Sequence, residues 1–315
     1  MVNNKTKIIG LWDTTITDNK LGSLLLFQEE VLLLSKINES EQINLIFTYN
    51  EKANLLHFYS SIVQLNPYAH DVFYTSTLKL FEILNFEKLN SYTIIWPTDA
   101  WRDRCSYTGS TLAIQDLWKR FGKIINLETP INVLRKAARW LSPRLNKRLP
   151  VVIHLRNNPE EQIGNANMSA WTYFFEYCQD KGYPALFILI GNDPIDKRLS
   201  SCKNILVVKD HWQSVELDLA LIELGVLFMG MSSGPCNMAI LSDKPYLIWK
   251  NPNHHADQMI VEFNGRKQFP FAKKNQRFIR DWDTKDRLIE EFESVYPSLN
   301  INNWQDQFNK YLYDI

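Results

Sequence analysis

The sequence predicts an α/β protein: two facing, Rossmann-like, doubly wound domains followed by C-terminal helices. Three observations carry this. Short apolar runs of strand character alternate with helical patterns along most of the chain. The alternation is interrupted by a basic amphipathic segment, Ile131 to Arg148, and restarts at Val151. From Thr284 onward only helical patterning remains. The expected division is residues 1–145, residues 146–283 and a helical tail, 284–315.

Lys7-Ile-Ile-Gly-Leu-Trp12 runs into polar Asp13-Thr-Thr and reads as the first strand. Leu24 to Leu34 is a helical pattern, Ile43–Thr48 a strand, Leu55 to Leu65 a helix and Asp71–Tyr74 a brief strand. Leu78 to Leu84 reads as helix and Tyr92–Trp96 as strand, ended by Pro97 and the polar loop Thr98–Arg104. Arg135, Lys136, Arg139, Arg144, Lys147 and Arg148 make the next segment basic, the usual mark of a solvated helix face. Pro143 and Pro150 bracket an expected linker, Arg144 to Leu149.

In the second half, strands are expected at Val151–Leu155, Ala185–Ile190, Asn204–Val208, Val226–Met229 and Pro245–Trp249. Helices are expected at Met168–Lys181, Val215–Leu224 and Pro235–Leu241, with two amphipathic helices in the tail.

Composition narrows the function classes. Hydrophobic residues make up 45% and charged residues 22% of the chain, as in soluble globular proteins. Lys plus Arg equals Asp plus Glu at 35 each, so nothing global steers the chain to nucleic acid. No apolar run approaches the ~20 residues that cross a bilayer, and the N-terminus lacks a signal-peptide apolar region. Cys105, Cys178, Cys202 and Cys236 are far apart, which reads as reduced thiols in a cytoplasmic protein and excludes a C-x-x-C zinc site. Ten Trp, 13 Tyr and 17 Phe are compatible with a carbohydrate ligand, because exposed rings stack on sugars.

Two strand ends carry anion chemistry. In Gly230-Met-Ser-Ser-Gly-Pro235, a buried strand passes through small residues into a helix, so backbone N–H groups of Ser232, Ser233 and Gly234 open that helix. Pro235 at the first helical position wastes no N–H, Ser232 or Ser233 can cap, and Gly234 admits a ligand close to the backbone. The turn is neither a P-loop, which ends in G-K-[ST], nor the dinucleotide G-x-G-x-x-G. His154-Leu-Arg156-Asn157 ends another strand at the edge where open α/β sheets bind ligands, and Arg suits a diphosphate through its bidentate fork. Together they imply a site for a phosphorylated ligand. A surface salt bridge and an ordinary helix cap are the bland counterparts.

The order of these strand ends, with Gly191-Asn192-Asp193 and Lys209-Asp-His211-Trp212 between them, resembles the C-terminal half of GT-B glycosyltransferases over Val151 to Lys250. The H-x-R strand end resembles that of GDP-fucose-using fucosyltransferases, although Asn157 stands where many carry a second Arg. The S-S-G-P turn is similar to the donor phosphate turn of heptosyltransferase-like enzymes, with Cys236 where many carry His. The resemblance implies a glycosyltransferase moving a hexosyl or deoxyhexosyl group from a nucleotide-diphosphate donor, with GDP-sugars foremost, to a hydroxyl of a glycan or lipid-linked glycan. Inversion, no metal, no cofactor and no nucleic-acid partner are expected.

Under this resemblance Arg156 and the N–H groups of Ser232, Ser233 and Gly234 neutralise the departing diphosphate, with His154 and Asn157 beside them. Asn192 and His211 meet the nucleobase and ribose. Asp13, at the end of the first strand, is the expected general base, with Asp99 and Asp103 as competitors. Asp281-Trp-Asp283 is read as a helix cap at Asp283 or Thr284 and not as a metal motif. His254-His255 is poor metal spacing, because adjacent side chains diverge, and is read as a loop that could touch ligand in the cleft. The basic segment implies at most peripheral contact with anionic lipid at the inner face of a membrane. A sugar-nucleotide epimerase of the same fold and a non-catalytic nucleotide-sugar-binding subunit are the alternatives.

Overall fold

A computed structural model describes residues 6–13, 20–40, 42–48, 56–75, 93–97, 106–299 and 301–313. The chain divides into two compact units, Met1–Glu128 and Thr129–Ile315.

The first unit holds a four-stranded sheet of β1 (Lys7–Asp13), β2 (Gln42–Thr48), β3 (Ala69–Thr75) and β4 (Thr93–Trp96), in the order β3-β2-β1-β4. Every pairing is parallel, as strand–helix alternation requires. Helix α1 (Leu21–Ile37) lies close on β1: a Cβ added at Gly10 would sit 2.8 Å from Leu45 Cδ2 and 2.9 Å from Val31 Cγ2. α1 buries polar residues as well, and three of them take hydrogen bonds from other elements. Asn66 Nδ2 donates to Gln28 Oε1 (3.2 Å), the Ile125 N–H to Glu29 Oε1 (2.8 Å) and Trp96 Nε1 to Glu30 Oε2 (2.6 Å). Burial pushes the Glu29 carboxyl well above the usual range, against the Ile125 hydrogen bond. After α2 (Leu56–Val63) comes α3 (Tyr107–Phe121), which packs on α1 and was not foreseen from sequence. Ser106 caps α3 by accepting from the Gly109 N–H at 3.1 Å, and Gly122 ends it with φ 89°. The expected helix 78–84 and the expected loop 98–104 lie outside the described residues.

In the second unit the basic segment is α4 (Ile131–Leu145), followed at once by β5 (Leu149–His154). Arg144 and Leu145 are therefore helical and Leu149 is in the strand, where a linker was expected. Ala137, Ala138 and Leu141 are buried, and α4 packs on a helix farther along the chain, α6. The remaining elements are α5 (Met168–Asp180), β6 (Ala185–Leu189), β7 (Ile205–Val207), α6 (Val215–Leu224), β8 (Leu227–Met231), α7 (Cys236–Ile240), β9 (Tyr246–Trp249), α8 (Ala256–Phe263), β10 (Gln276–Ile279), α9 (Lys285–Val295) and α10 (Ile301–Leu312).

The six strands run in the order β10-β9-β8-β5-β6-β7, all parallel. Alternate residues Val151, Ile153, Phe187, Leu189, Leu227, Met229, Leu247 and Trp249 join one core with Trp171, Phe174 and Phe175 of α5 and Leu288, Phe292 and Val295 of α9. Their neighbours Val152, Ile188, Phe228 and Ile248 are equally buried, so helices must cover both faces. From β5 the chain winds outward through β6 and β7, then returns to place β8 on β5's other side. The topological switch point of the sheet therefore lies between β5 and β8, and ligands of such sheets sit at the carboxyl ends there. Among the described residues no helix is long and apolar enough to cross a membrane.

Candidate functional site

The switch point brings the two sequence-predicted motifs together. His154, the last residue of β5, pairs in register with Gly230 of β8. A Cβ at Gly230 would stand 2.1 Å from the His154 carbonyl oxygen, and its φ is 148°, so only glycine fits. Past this crossing, Ser233 Oγ lies 2.8 Å from His154 Nδ1, and His154 Nε2 lies 3.4 Å from Asp193 Oδ2. The neutral ring and the Ser233 hydroxyl share one hydrogen bond at Nδ1. Burial lowers the His154 pKa to about 4, against the pull of Asp193 and with the help of Arg156, so the imidazole is neutral at physiological pH. His154 thus ties the ends of β5, β6 and β8 to one another. Gly191, with φ 89°, leaves room for this ring, since a Cβ there would lie 2.7 Å from it.

The β8 turn differs from its expected donor pattern. The Ser232 N–H continues the sheet by donating to Trp249 O at 2.7 Å, and the Ser233 N–H points to Cys236 Sγ at 3.5 Å. Two of the three expected phosphate donors, Ser232, Ser233 and Gly234, already have acceptors. Ser233 also does not cap α7: its hydroxyl is committed to His154 and Met231 O, and Pro235 occupies the cap position.

Arg156 follows β5 and is largely covered, with 13% of its side chain exposed. It donates through Nη1 to the Glu161 carbonyl (3.0 Å) and through Nη2 to Glu161 Oε2. Glu161 Oε1 in turn accepts from His254 Nε2 at 3.0 Å and His255 Nε2 at 2.7 Å. The two rings converge where divergence was expected, because His255 has left-handed backbone, φ 55°. Burial alone would raise the Glu161 pKa, but the two imidazole hydrogen bonds and the Arg156 charge hold it at about 2. Lys250, buried after β9, loses basicity to desolvation, partly offset by Glu262. Sequence reasoning missed Glu161 altogether.

Asn157 Nδ2 donates to Pro194 O at 2.7 Å, linking the loops after β5 and β6. Asn192 is exposed in the same β6 loop. Behind it, the Gly191 N–H donates to Asp218 Oδ2 at 3.0 Å; desolvation raises Asp218 to about 7 in spite of this bond. His211 is exposed at the outer end of β7, two strands from β5, with its ring 6.1 Å from that of Trp140. Its neighbour Trp212 lies under Lys136 Nζ at 4.2 Å, so this pair packs on α4.

In the first unit, Asp13 ends the inner strand β1 and is 6% exposed; Thr48 Oγ1 donates to its Oδ1 at 2.8 Å. Asp99 and Asp103 lie outside the described residues. Asp283 accepts from the Asn167 N–H (2.7 Å) and Trp171 Nε1 (2.8 Å), while Thr284 caps α9.

No family model matches the sequence, and no curated protein matches it. Solved structures do. A glycosyl transferase family 9 protein from Veillonella parvula superposes with a TM-score of 0.59 at 11% identity, covering 95% of this chain and 99% of its own. The E. coli ADP-heptose lipopolysaccharide heptosyltransferase II gives 0.55 at 9% identity, over 93% and 99%. E. coli heptosyltransferase WaaC with ADP gives 0.51 at 12%, over 93% and 99%. The fold is the GT-B type of these enzymes, with two Rossmann-like units.

Proposed function

We propose that this protein is a glycosyltransferase that uses a nucleotide-diphosphate sugar. The observation that carries the reading is the His154–Ser233 bond across the switch point, which unites the H-x-R strand end with the S-S-G-P turn on one sheet edge. The shared fold supports it, and E. coli WaaC is described with ADP and with ADP-2-deoxy-2-fluoro heptose. In this reading the diphosphate lies over the turn at Ser233 and Gly234, and Arg156 supplies a permanent positive charge toward the leaving group. His154, buried and neutral, positions the turn. Asn157 and Asn192 border the nucleoside end, with His211 farther out. Asp13 is the general base that takes the proton of the acceptor hydroxyl, which makes the transfer inverting. The acceptor is a glycan or lipid-linked glycan, and the donated group a hexosyl or deoxyhexosyl unit.

A thermal-shift screen against ADP, GDP, UDP, CMP and dTDP tests this. A nucleotide at 100 times its Kd adds about 2.7 kcal/mol. Stabilisation by one nucleotide, lost in Arg156→Ala, is expected. No shift with any of them overturns the donor-site reading.

A further inference from the structure

The Glu161–His254–His255 cluster is more ordered than a loop ion pair requires. One ligand atom from each of Glu161, His254 and His255 lies within 4.8 Å of the other two. The edge of a tetrahedron with metal–ligand bonds of about 2.0–2.1 Å is roughly 3.4 Å; Glu161 Oε1 stands 3.0 and 2.7 Å from the two Nε2 atoms as a hydrogen-bond acceptor, so small side-chain rotations bring the three atoms to that spacing. Several separate devices hold them there. Arg156 grips both the backbone carbonyl and the far carboxylate oxygen of Glu161, leaving Oε1 turned to the imidazoles. Asn251 Nδ2 donates to Ile163 O at 2.8 Å, joining the loop that carries the His pair to the loop that carries Glu161. Gly164 allows the close fit: a Cβ there would lie 2.1 Å from Arg156 Nη1 and 2.5 Å from His254 Cε1. His255 adopts the left-handed conformation, uncommon for a residue with a Cβ, and so turns its ring onto the same oxygen as its neighbour.

We propose that Glu161, His254 and His255 form a binding site for one divalent transition-metal ion of the zinc type. Two imidazoles and a carboxylate are a sufficient protein ligand set for such an ion and leave a position open to water or a substrate oxygen. Arg156 then orients the ligating carboxylate from behind, as the outer partners of metal ligands do. The Arg156 and Lys250 charges that would repel a cation are balanced locally by Glu161 and Glu262, the latter buried beside Lys250. This assignment stands on the cluster alone and does not depend on the donor-site reading.

The protein, stripped of metal by chelation and dialysis, is titrated with Zn²⁺ by calorimetry, and with Co²⁺ by visible absorption. The expected result is one equivalent bound, with Co²⁺ bands of a nitrogen–oxygen ligand set. His255→Asn keeps a residue tolerant of the left-handed backbone, and it and Glu161→Gln are expected to weaken binding by more than ~100-fold. Arg156→Ala, which removes only an outer partner, is expected to weaken it by roughly 10–100-fold. His70→Ala, on an exposed strand of the first unit, leaves binding unchanged. If Glu161→Gln melts early by circular dichroism, His255→Asn decides, since that side chain is 38% exposed. Absence of a saturable equivalent overturns the proposal. So does equal binding by His255→Asn, or a Co²⁺–thiolate charge-transfer band that places the ion on a cysteine. Nucleotide is absent throughout, so this result and that of the nucleotide screen are independent.

Discussion

His154 Nδ1 and Ser233 Oγ lie 2.8 Å apart, and the bond joins residues 79 positions apart in the chain across the switch point of the second sheet. Because the ring is 5% exposed, water cannot easily replace the hydroxyl. Ser233→Ala therefore leaves a buried ring nitrogen without its partner, a loss of about 1–3 kcal/mol. Urea denaturation should show a lower midpoint with an unchanged slope. In the same variant nucleotide affinity should fall, since the turn loses its anchor to β5.

Gly230→Ala should be far more severe. The new methyl would meet a backbone carbonyl, which cannot rotate away as a side chain can, and the φ of 148° is foreign to residues with a Cβ. A cost of at least about 2–3 kcal/mol is expected. A melt followed by circular dichroism should show a greatly lowered Tm, or no soluble protein. A Tm within a degree of the parent's would mean that β5 and β8 separate more readily than their register implies.

Much of this fold was legible because apolar runs and their punctuation are local signals. The strands at Ile43–Thr48 and Tyr246–Trp249, and the helix Val215–Leu224, lie where apolar patterning placed them. β10 escaped notice because four residues, Gln276–Ile279, carry too little alternation after a polar loop. α3 escaped because its mixed apolar and polar residues hide the period, although Ser106 and Gly122 marked both ends. The candidate site was legible only in part. Small residues and a strand-end Arg announce anion chemistry, but the partner of Arg156 depends on how the next loop folds back. The convergence of His254 and His255 depends on one backbone angle at His255, which neighbouring residue types do not specify.

Two groups near the site should bend the pH profile of stability in opposite directions. His154 titrates at about 4 in the fold against 6.5 when unfolded, so between these values the unfolded chain holds the extra proton. Stability therefore rises with pH across that window, and His154→Gln should remove the rise. Asp218 titrates at about 7 in the fold against 3.8 unfolded, so the folded chain holds the extra proton. Stability falls as pH rises from about 4 to 7 on its account, and Asp218→Asn should remove the fall. Urea midpoints of the parent and both variants from pH 4 to pH 8 separate the two slopes. If either variant keeps the parent's profile, that side chain is not held as described.

The Asp13–Thr48 pair offers the sharpest separation of chemistry from binding. Asp13 lies in the first unit, at the end of β1, and accepts the Thr48 hydroxyl at 2.8 Å. Asn in its place retains a carbonyl oxygen for Thr48 and nearly the same volume, so fold and nucleotide binding should survive. A general base contributes roughly 10²–10⁴-fold, and Asp13→Asn should lower kcat by that factor while leaving the nucleotide Kd unchanged. Thr48→Val tests the other half of the pair. It removes the Thr48 hydrogen bond and keeps the carboxylate, so a partial loss of kcat is expected. Full activity in Asp13→Asn would remove Asp13 as the base and direct the search to Asp99 and Asp103. Loss of nucleotide binding in the same variant would instead make Asp13 a structural residue.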